Sequence, residues 1–187
     1  MTSPRTVRTL TRASAHSVLH ASADMSVAPL QAIPLLLREF GVEPSSVFEQ
    51  VGFDQDTLRD AANRLPFGLV GHLLDECVVA SSCPHFGLLV GIRSGPAAAG
   101  IAGELVQHAE SVHAALRLFI AHLHLHDRGG VVALGSQGAE DVELSYLIHH
   151  PNTPGTAQIL DASIAIACSV MRSLCGAQWT PSKVMLS

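Results

Sequence analysis

The sequence is poor in charge, and its few cations are not gathered into a patch. Only 14% of the 187 residues are charged, and eleven Lys and Arg stand against sixteen Asp and Glu, for a formal net charge of −5. A domain that neutralises nucleic-acid phosphates is usually basic on at least one face. Direct nucleic-acid binding by these residues is therefore disfavoured.

Long apolar runs and paired cysteines are also missing. The longest strongly apolar run, Ala162 to Met171, is about half of the roughly 20 residues that a membrane span needs, so no membrane partner is expected. The cysteines include no C-x-x-C pair, which leaves a closed thiolate zinc site without support from spacing. We expect buried, reduced thiols at all four positions: Cys77, Cys83, Cys168 and Cys175.

Signatures of catalysis are absent as well. The sequence contains no G-x-S-x-G nucleophile elbow and no local signature of a cysteine nucleophile. Neither Gly100 to Gly103 nor Gly129-Gly130 has the glycine spacing and the lysine of a phosphate loop. The sequence therefore predicts no enzyme and no cofactor.

What the chain has in abundance is apolar surface, at 48% of residues and a mean hydropathy of +0.32. Such a composition indicates a large buried core or an apolar face meant for a partner. Residues 1–27 differ, because they carry scattered arginines, many Ser and Thr, and no acid before Asp24. We interpret residues 1–27 as a disordered leader and residues 28–187 as one domain.

Prolines and glycines predict a helix-rich domain. Pro34, Pro44, Pro66 and Pro84 each suit the first turn of a helix, where no backbone N–H is needed. Apolar residues recurring at spacings of three, four and seven then favour helices. The predicted ranges are 35–40, 44–51, 57–62 with Asp54 as its cap, 66–78, 85–92, 97–108, and 112–123 capped by Ser111.

After Gly130 the apolar period changes from that of a helix to that of a strand. Alternating residues predict a β-hairpin over 131–134 and 142–148, with its turn at 136–138. A long helix over 157–174 follows, with Gly176 beyond its end, and then a short final strand over 183–186. The predicted fold class is α+β.

Five segments carry a resemblance: Ile33 to Val42, Arg64 to Phe67, Cys83 to Gly91, Leu123 to Gly130, and Met171 to Gly176 with Trp179 to Pro181. In order and spacing, from about residue 28 to 187, they resemble the N-terminal arabinose-binding domain of AraC-type transcription regulators. Within that family they are most similar to the subgroup of ornithine-utilisation regulators.

The resemblance implies a cytoplasmic sensor of a small-molecule effector that forms a homodimer. In such regulators a C-terminal part with two helix-turn-helix motifs binds DNA. No such part is expected within these residues, and the sensing domain itself is expected to be truncated. DNA would be contacted only through the missing C-terminal domain.

One cluster suggests an alternative from a different class, a metal-dependent enzyme. His122, His124 and His126 stand two apart, and His122 and His126 would share a helix face at the spacing of a two-histidine metal half-site. Asp127, or the pair His149-His150, could add a third ligand. The competing interpretation is a polar helix end that leads into a turn, and the absence of an accompanying metal signature favours it.

A ligand pocket follows from the resemblance, and two residues are candidates to line it. Tyr146 lies on the alternating strand, and His124 lies near the junction of helix and strand. Binding pockets are mostly apolar, with a few polar groups that fix the orientation of the ligand. A domain that only mediates protein interactions and binds no ligand is the third hypothesis.

Overall fold

The chain folds into short N-terminal helices, a pair of longer helices, a β-hairpin and a long C-terminal helix, which confirms the α+β class. The computed structural model describes residues 23–100, 103, 106–137, 141–150 and 152–185. Residues 1–22 of the predicted leader lie outside this described part.

Prolines and glycines place the first helices as the sequence predicts. Helix α1 spans Ile33–Glu39 and helix α2 spans Pro44–Val51, each with a proline in its first turn. Gly52 ends α2 in the left-handed conformation, with φ of 71°. The third predicted helix is a 3₁₀ helix, Gln55–Arg59, one turn earlier than expected.

A two-stranded sheet that the sequence did not predict joins the beginning of the domain to residues 64–66. Strand β1, Asp24–Ser26, runs antiparallel to β2, Arg64–Pro66. Met25 and Val27 are buried, so the packed domain begins before residue 28 and the predicted leader is too long at its end. An ion pair of 2.8 Å between Arg64 and Asp24 holds the two strands together.

Three helices form the centre: α3 (Phe67–Ser81), α4 (Phe86–Ser94) and α6 (Thr156–Cys175). Gly87 and Gly91 lie one turn apart on α4 and let the backbones of α4 and α6 come close. A Cβ on Gly91 would lie 2.7 Å from that of Ala165, closer than real Cβ atoms approach. The side chain of Gln158 on α6 accepts a hydrogen bond of 2.7 Å from the Gly87 N–H.

Helix α6 is also the one helix of the described residues that is long and apolar enough to cross a membrane. A single helix of this kind is weak evidence for a membrane span, because the core helix of a soluble protein meets the same criteria of length and composition. All four cysteines are free thiols, but the expectation that all are buried is wrong, because only Cys77 is buried and Cys175 is exposed.

Helix α5 spans Val112–His122 and begins as expected, with the Ser111 hydroxyl accepting a hydrogen bond from the Ala114 N–H. A 3₁₀ turn, Leu123–Leu125, follows it directly. The sequence predicts a helix over 97–108. At the start of this range the structure has a 3₁₀ turn, Pro96–Ala99. Residues 101, 102, 104 and 105 of that prediction lie outside the described residues.

The predicted hairpin is present, with longer strands than expected. Strand β3, Gly130–Gln137, pairs antiparallel with β4, Asp141–Ile148. The predicted turn starts too early, since β3 continues through Gln137, and residues 138–140 lie outside the described part. The alternation holds in part: Val132 is buried while Val131 is half exposed, and Leu144, Tyr146 and Ile148 are partly buried, but Val142 is 67% exposed.

The predicted final strand is wrong as far as it is described. Residues 183–185 form no strand, and Leu186 lies outside the described residues. Val184 and Met185 are exposed, at 48% and 60%, so no apolar contact fixes this segment against the hairpin. A segment of so few residues has little intrinsic preference for a strand without a paired neighbour.

Candidate ligand-binding cavity

A cavity of about 110 Å³ lies between the two apolar clusters of the core. Its lining comes from Met25, Pro29 and Leu30 near the start of the domain, from the mutually packed helices α3, α4 and α6, and from α5 and the hairpin. Six of the apolar side chains that line it are Leu30, Leu74, Val90, Phe119, Val132 and Ile159. Most of this wall is hydrocarbon, which is typical of pockets for small organic molecules.

One end of the cavity is polar, and Asp127 is at its centre. Asp127 is only 6% exposed. Its Oδ1 accepts hydrogen bonds from the N–H groups of Gly129, at 2.7 Å, and Gly130, at 3.1 Å. The Tyr146 hydroxyl donates to Oδ2 at 2.5 Å. A buried carboxylate is stable only while its hydrogen-bond donors stay in place. Asp127, Gly129, Gly130 and Tyr146 therefore form one fixed constellation.

The local sequence explains why this constellation forms. Asp127 accepts from the backbone two and three residues ahead, which is the turn that Asp side chains favour. Gly130 opens β3 under the ring of Tyr146, and a Cβ there would overlap that ring. Burial, and then the charge of Asp127, raise the pKa of Tyr146, so its phenol stays protonated and acts as a donor.

His126 is the second polar group at this end. It is 8% exposed, and its backbone is held at both sides, by Ser26 N–H donating to its carbonyl at 2.8 Å and by its own N–H donating to Leu123. His126 lines the cavity, its Nδ1 lies beside Gly100, and none of the hydrogen bonds between described residues involves its ring. Burial lowers its pKa, so the ring is neutral near neutral pH and offers one donor and one acceptor.

Arg64 fixes the segment that carries these groups. Its guanidinium donates to Asp24 Oδ1 at 2.9 Å and to the Leu125 carbonyl at 2.7 Å, and it reaches the His126 carbonyl at 3.4 Å. The unpredicted β1–β2 sheet thereby clamps the chain just before Asp127. Its function in the architecture is to hold the polar end of the cavity in place.

The structure separates the two predicted pocket residues. Tyr146 lines the cavity, as expected for a pocket residue, and it does so through the alternation of β4. His124 is exposed on the 3₁₀ turn and is not among the residues that line the cavity. Contact with a ligand remains a prediction for both.

The histidine run does not form a shared site. Because α5 ends at His122 and a 3₁₀ turn follows, the four-residue spacing no longer places His122 and His126 on one helix face. His122 Nδ1 lies 2.9 Å from the Leu118 carbonyl oxygen, while His124 is exposed. Among the described residues, no three His, Cys, Asp or Glu side chains are placed to hold a metal ion.

His126 and Asp127 are the cavity residues that sequence reasoning did not assign to the pocket. Both were considered only as metal ligands or as part of a turn. The signal for Asp127 was present in Asp127-Arg128-Gly129-Gly130, since an Asp followed by glycines favours a turn closed by its side chain. No sequence signal shows that the adjacent His126 lines the cavity.

Comparison with known proteins gives one family. The model of the arabinose-binding domain of AraC transcription regulators, N-terminal, matches residues 41–187, which is 147 of the 187 residues. The match confirms the family predicted from the five segments, while the ornithine-utilisation subgroup stays a prediction. A search of curated proteins found no match.

Proposed function

The chain belongs to the family of N-terminal arabinose-binding domains of AraC transcription regulators, and we propose that it senses one small-molecule effector in the cavity beside Asp127. The cavity is the main observation that supports this proposal. It combines an apolar wall with a few fixed polar groups, and it lies between elements from both halves of the domain.

Binding at this place can alter the packing of the whole domain. The walls come from α3, α4 and α6, which pack on one another, on one side and from α5 and the hairpin on the other. A ligand that contacts both sides favours the arrangement in which both sides fit it, and it shifts the population toward that arrangement by its difference in affinity.

The effect of ligand binding on the regulator is inferred from the family. We propose that the domain works in the cytoplasm as a homodimer, that effector binding changes its self-association or its contact with a DNA-binding part of the regulator, and that it performs no catalysis. In this view DNA is bound through helix-turn-helix motifs outside these residues. The acidic net charge supports that division of labour, because phosphate binding needs cations.

Affinity selection tests the proposal without assuming the identity of the effector. The protein is incubated with a bacterial metabolite extract, separated from unbound molecules, and the retained compounds are identified by mass spectrometry. The same selection is run on Ala167→Leu, which adds side-chain volume to a lining position of α6, and on Ala157→Leu, at an exposed position of the same helix.

We expect at least one compound to be retained by the wild type and by Ala157→Leu but not by Ala167→Leu. Retention by all three proteins alike would place binding outside the cavity. If no compound is retained by any protein, the domain acts as an interaction module without an effector, and the proposal is wrong. Sedimentation with and without the compound then measures the proposed change in self-association.

A further inference from the structure

We propose that the cavity selects a small, uncharged molecule with an apolar body and a single hydroxyl or carbonyl group, which is held by the ring of His126. The proposal rests on the proposed sensing function and specifies its ligand. It excludes a sugar from the cavity, although the family takes its description from one.

The size of the cavity sets the first limit. An engineered cavity of about 150 Å³ in another protein takes benzene, with its six heavy atoms. A cavity of about 110 Å³ on that scale takes roughly four to six heavy atoms. A pentose has about ten, so it does not fit within this volume.

The polarity of the wall sets the second limit. Each hydroxyl of a sugar that leaves water needs a hydrogen-bond partner. The described polar side chains around the cavity are largely committed: Asp127 accepts from three donors, and the Ser163 hydroxyl donates to the Ile159 carbonyl at 2.8 Å. The polar groups left to bind a ligand are the ring of His126 and the remaining acceptor position of Asp127 Oδ2.

Charge sets the third limit. The side chains of the described residues that line the cavity include one carboxylate, Asp127, and no Lys or Arg. Two nearby cations are engaged elsewhere: Arg64 is bound to Asp24 and to backbone carbonyls, and Arg128 lies 3.4 Å from Asp24. A carboxylate ligand would therefore enter an apolar space beside a like charge with no cation to pair with it.

A cationic ligand fits no better. The charge of Asp127 attracts an ammonium group, but such a group carries three N–H donors, and the described lining offers two free acceptors for them, the remaining position on Asp127 Oδ2 and the ring of His126. The remaining donor would face hydrocarbon, at the full cost of lost hydration. A hydroxyl matches the neutral imidazole, because each group has one donor and can accept, and a carbonyl uses the imidazole N–H alone.

A matched series of ligands on one carbon skeleton tests the proposal. Isobutanol, isobutyrate and isobutylamine, together with L-arabinose, are titrated into the methyl-labelled protein at neutral pH, and NMR shifts of the Leu30 and Val132 methyl groups report binding in the cavity. We expect isobutanol to bind at least about tenfold more tightly than the other three, and Ala167→Leu to abolish its shifts while Ala157→Leu does not.

Two substitutions test the function of His126. His126→Leu removes the polar ring, and we expect it to weaken isobutanol binding by about three- to tenfold, the range of one hydrogen bond. His126→Gln keeps a donor and an acceptor and should weaken binding less. If His126→Leu fails to fold, the comparison of the four ligands on the wild type and on Ala157→Leu decides the question.

The outcomes separate the ligand class from the sensing function. Binding of L-arabinose or isobutyrate in the cavity, as tight as that of isobutanol, overturns the proposed class and leaves the sensing function standing. Failure of isobutanol to shift the cavity methyl groups also overturns the class. The sensing function is overturned only if the unbiased metabolite selection yields no compound that Ala167→Leu excludes.

Discussion

The close approach of Gly71 on α3 to the start of α6 fixes the width of the cavity, and Gly71→Ala tests it. A Cβ at residue 71 would overlap the Pro154 carbonyl oxygen, and it would lie 2.8 Å from the Pro154 carbonyl carbon and 3.3 Å from Ile159 Cδ1. The obstructing group is backbone and cannot rotate away, so the loop and α6 must move away from α3.

The two opposing effects of this substitution can be weighed. Alanine in a helix interior is favoured over glycine by up to about 1 kcal/mol. Overfilling a packed contact costs about 1–3 kcal/mol, and a clash with backbone belongs at the upper end of that range. We expect Gly71→Ala to lower the free energy of unfolding by about 2 kcal/mol, or the Tm by about 4–8 °C for a domain of this size.

Gly68→Ala is the matched control on the same helix. A Cβ at residue 68 would have no atom within 4 Å, so the substitution should be neutral or stabilise the fold by about 0.5 kcal/mol. Urea unfolding followed by circular dichroism compares both variants with the wild type. If Gly71→Ala is as stable as Gly68→Ala, then α3 and α6 are not held at the distance on which the cavity depends.

Three further predictions concern buried groups. Tyr146→Phe leaves one oxygen of the buried Asp127 carboxylate without its donor. We expect the free energy of unfolding measured in urea to fall by about 1–3 kcal/mol. An unchanged unfolding midpoint would contradict the proposed hydrogen bonding of Asp127. Burial lowers the pKa of His126 in the folded state below its unfolded value of 6.5, so its contribution to stability is present above pH 6.5 and is lost as the pH falls from there through the folded-state pKa. Stability should therefore decline on acidification, and a decline of equal size in His126→Gln would refute this cause. Burial raises the pKa of Cys77 to about 12, so at pH 8 iodoacetamide should label the exposed Cys175 and leave Cys77 unlabelled in mass spectrometry.

The helices were predictable because their signals are local. Pro34, Pro44 and Pro66 each restrict one residue at a helix start, and Gly52 ends a helix by adopting a left-handed conformation that other residues avoid. The hairpin was predictable for the same reason, since the alternation of Val142, Leu144, Tyr146 and Ile148 spans seven residues, which is long enough to be distinguished from a helix.

The β1–β2 sheet was not predictable from local patterns. Each strand has three residues, and they pair across about forty residues of intervening chain. The long-range ion pair between Arg64 and Asp24 holds the two strands together, and no periodic pattern in the sequence predicts it. The opposite error occurred at residues 183–185, where a short apolar run suggested a strand but nothing in the described structure pairs with it.

One of the two predicted pocket residues lines the cavity, and the other does not. Tyr146 was found because a strand with one buried face must turn every second residue inward. The choice of His124 over His126 failed to identify the histidine that lines the cavity, because the 3₁₀ turn after His122 changes the direction of successive side chains. Such a change in pitch depends on the tertiary contacts of Arg64 with the carbonyls of this segment.

Methyl NMR of the wild-type protein, with the metabolite recovered in the affinity selection, tests the sensing function most directly. If that metabolite occupies the cavity, shifts will concentrate on the lining methyl groups of Leu30, Val90 and Val132, and the exposed methyl groups of Val79 and Val142 will stay in place. Shifts at Val79 or Val142 with none at the lining methyl groups would contradict it.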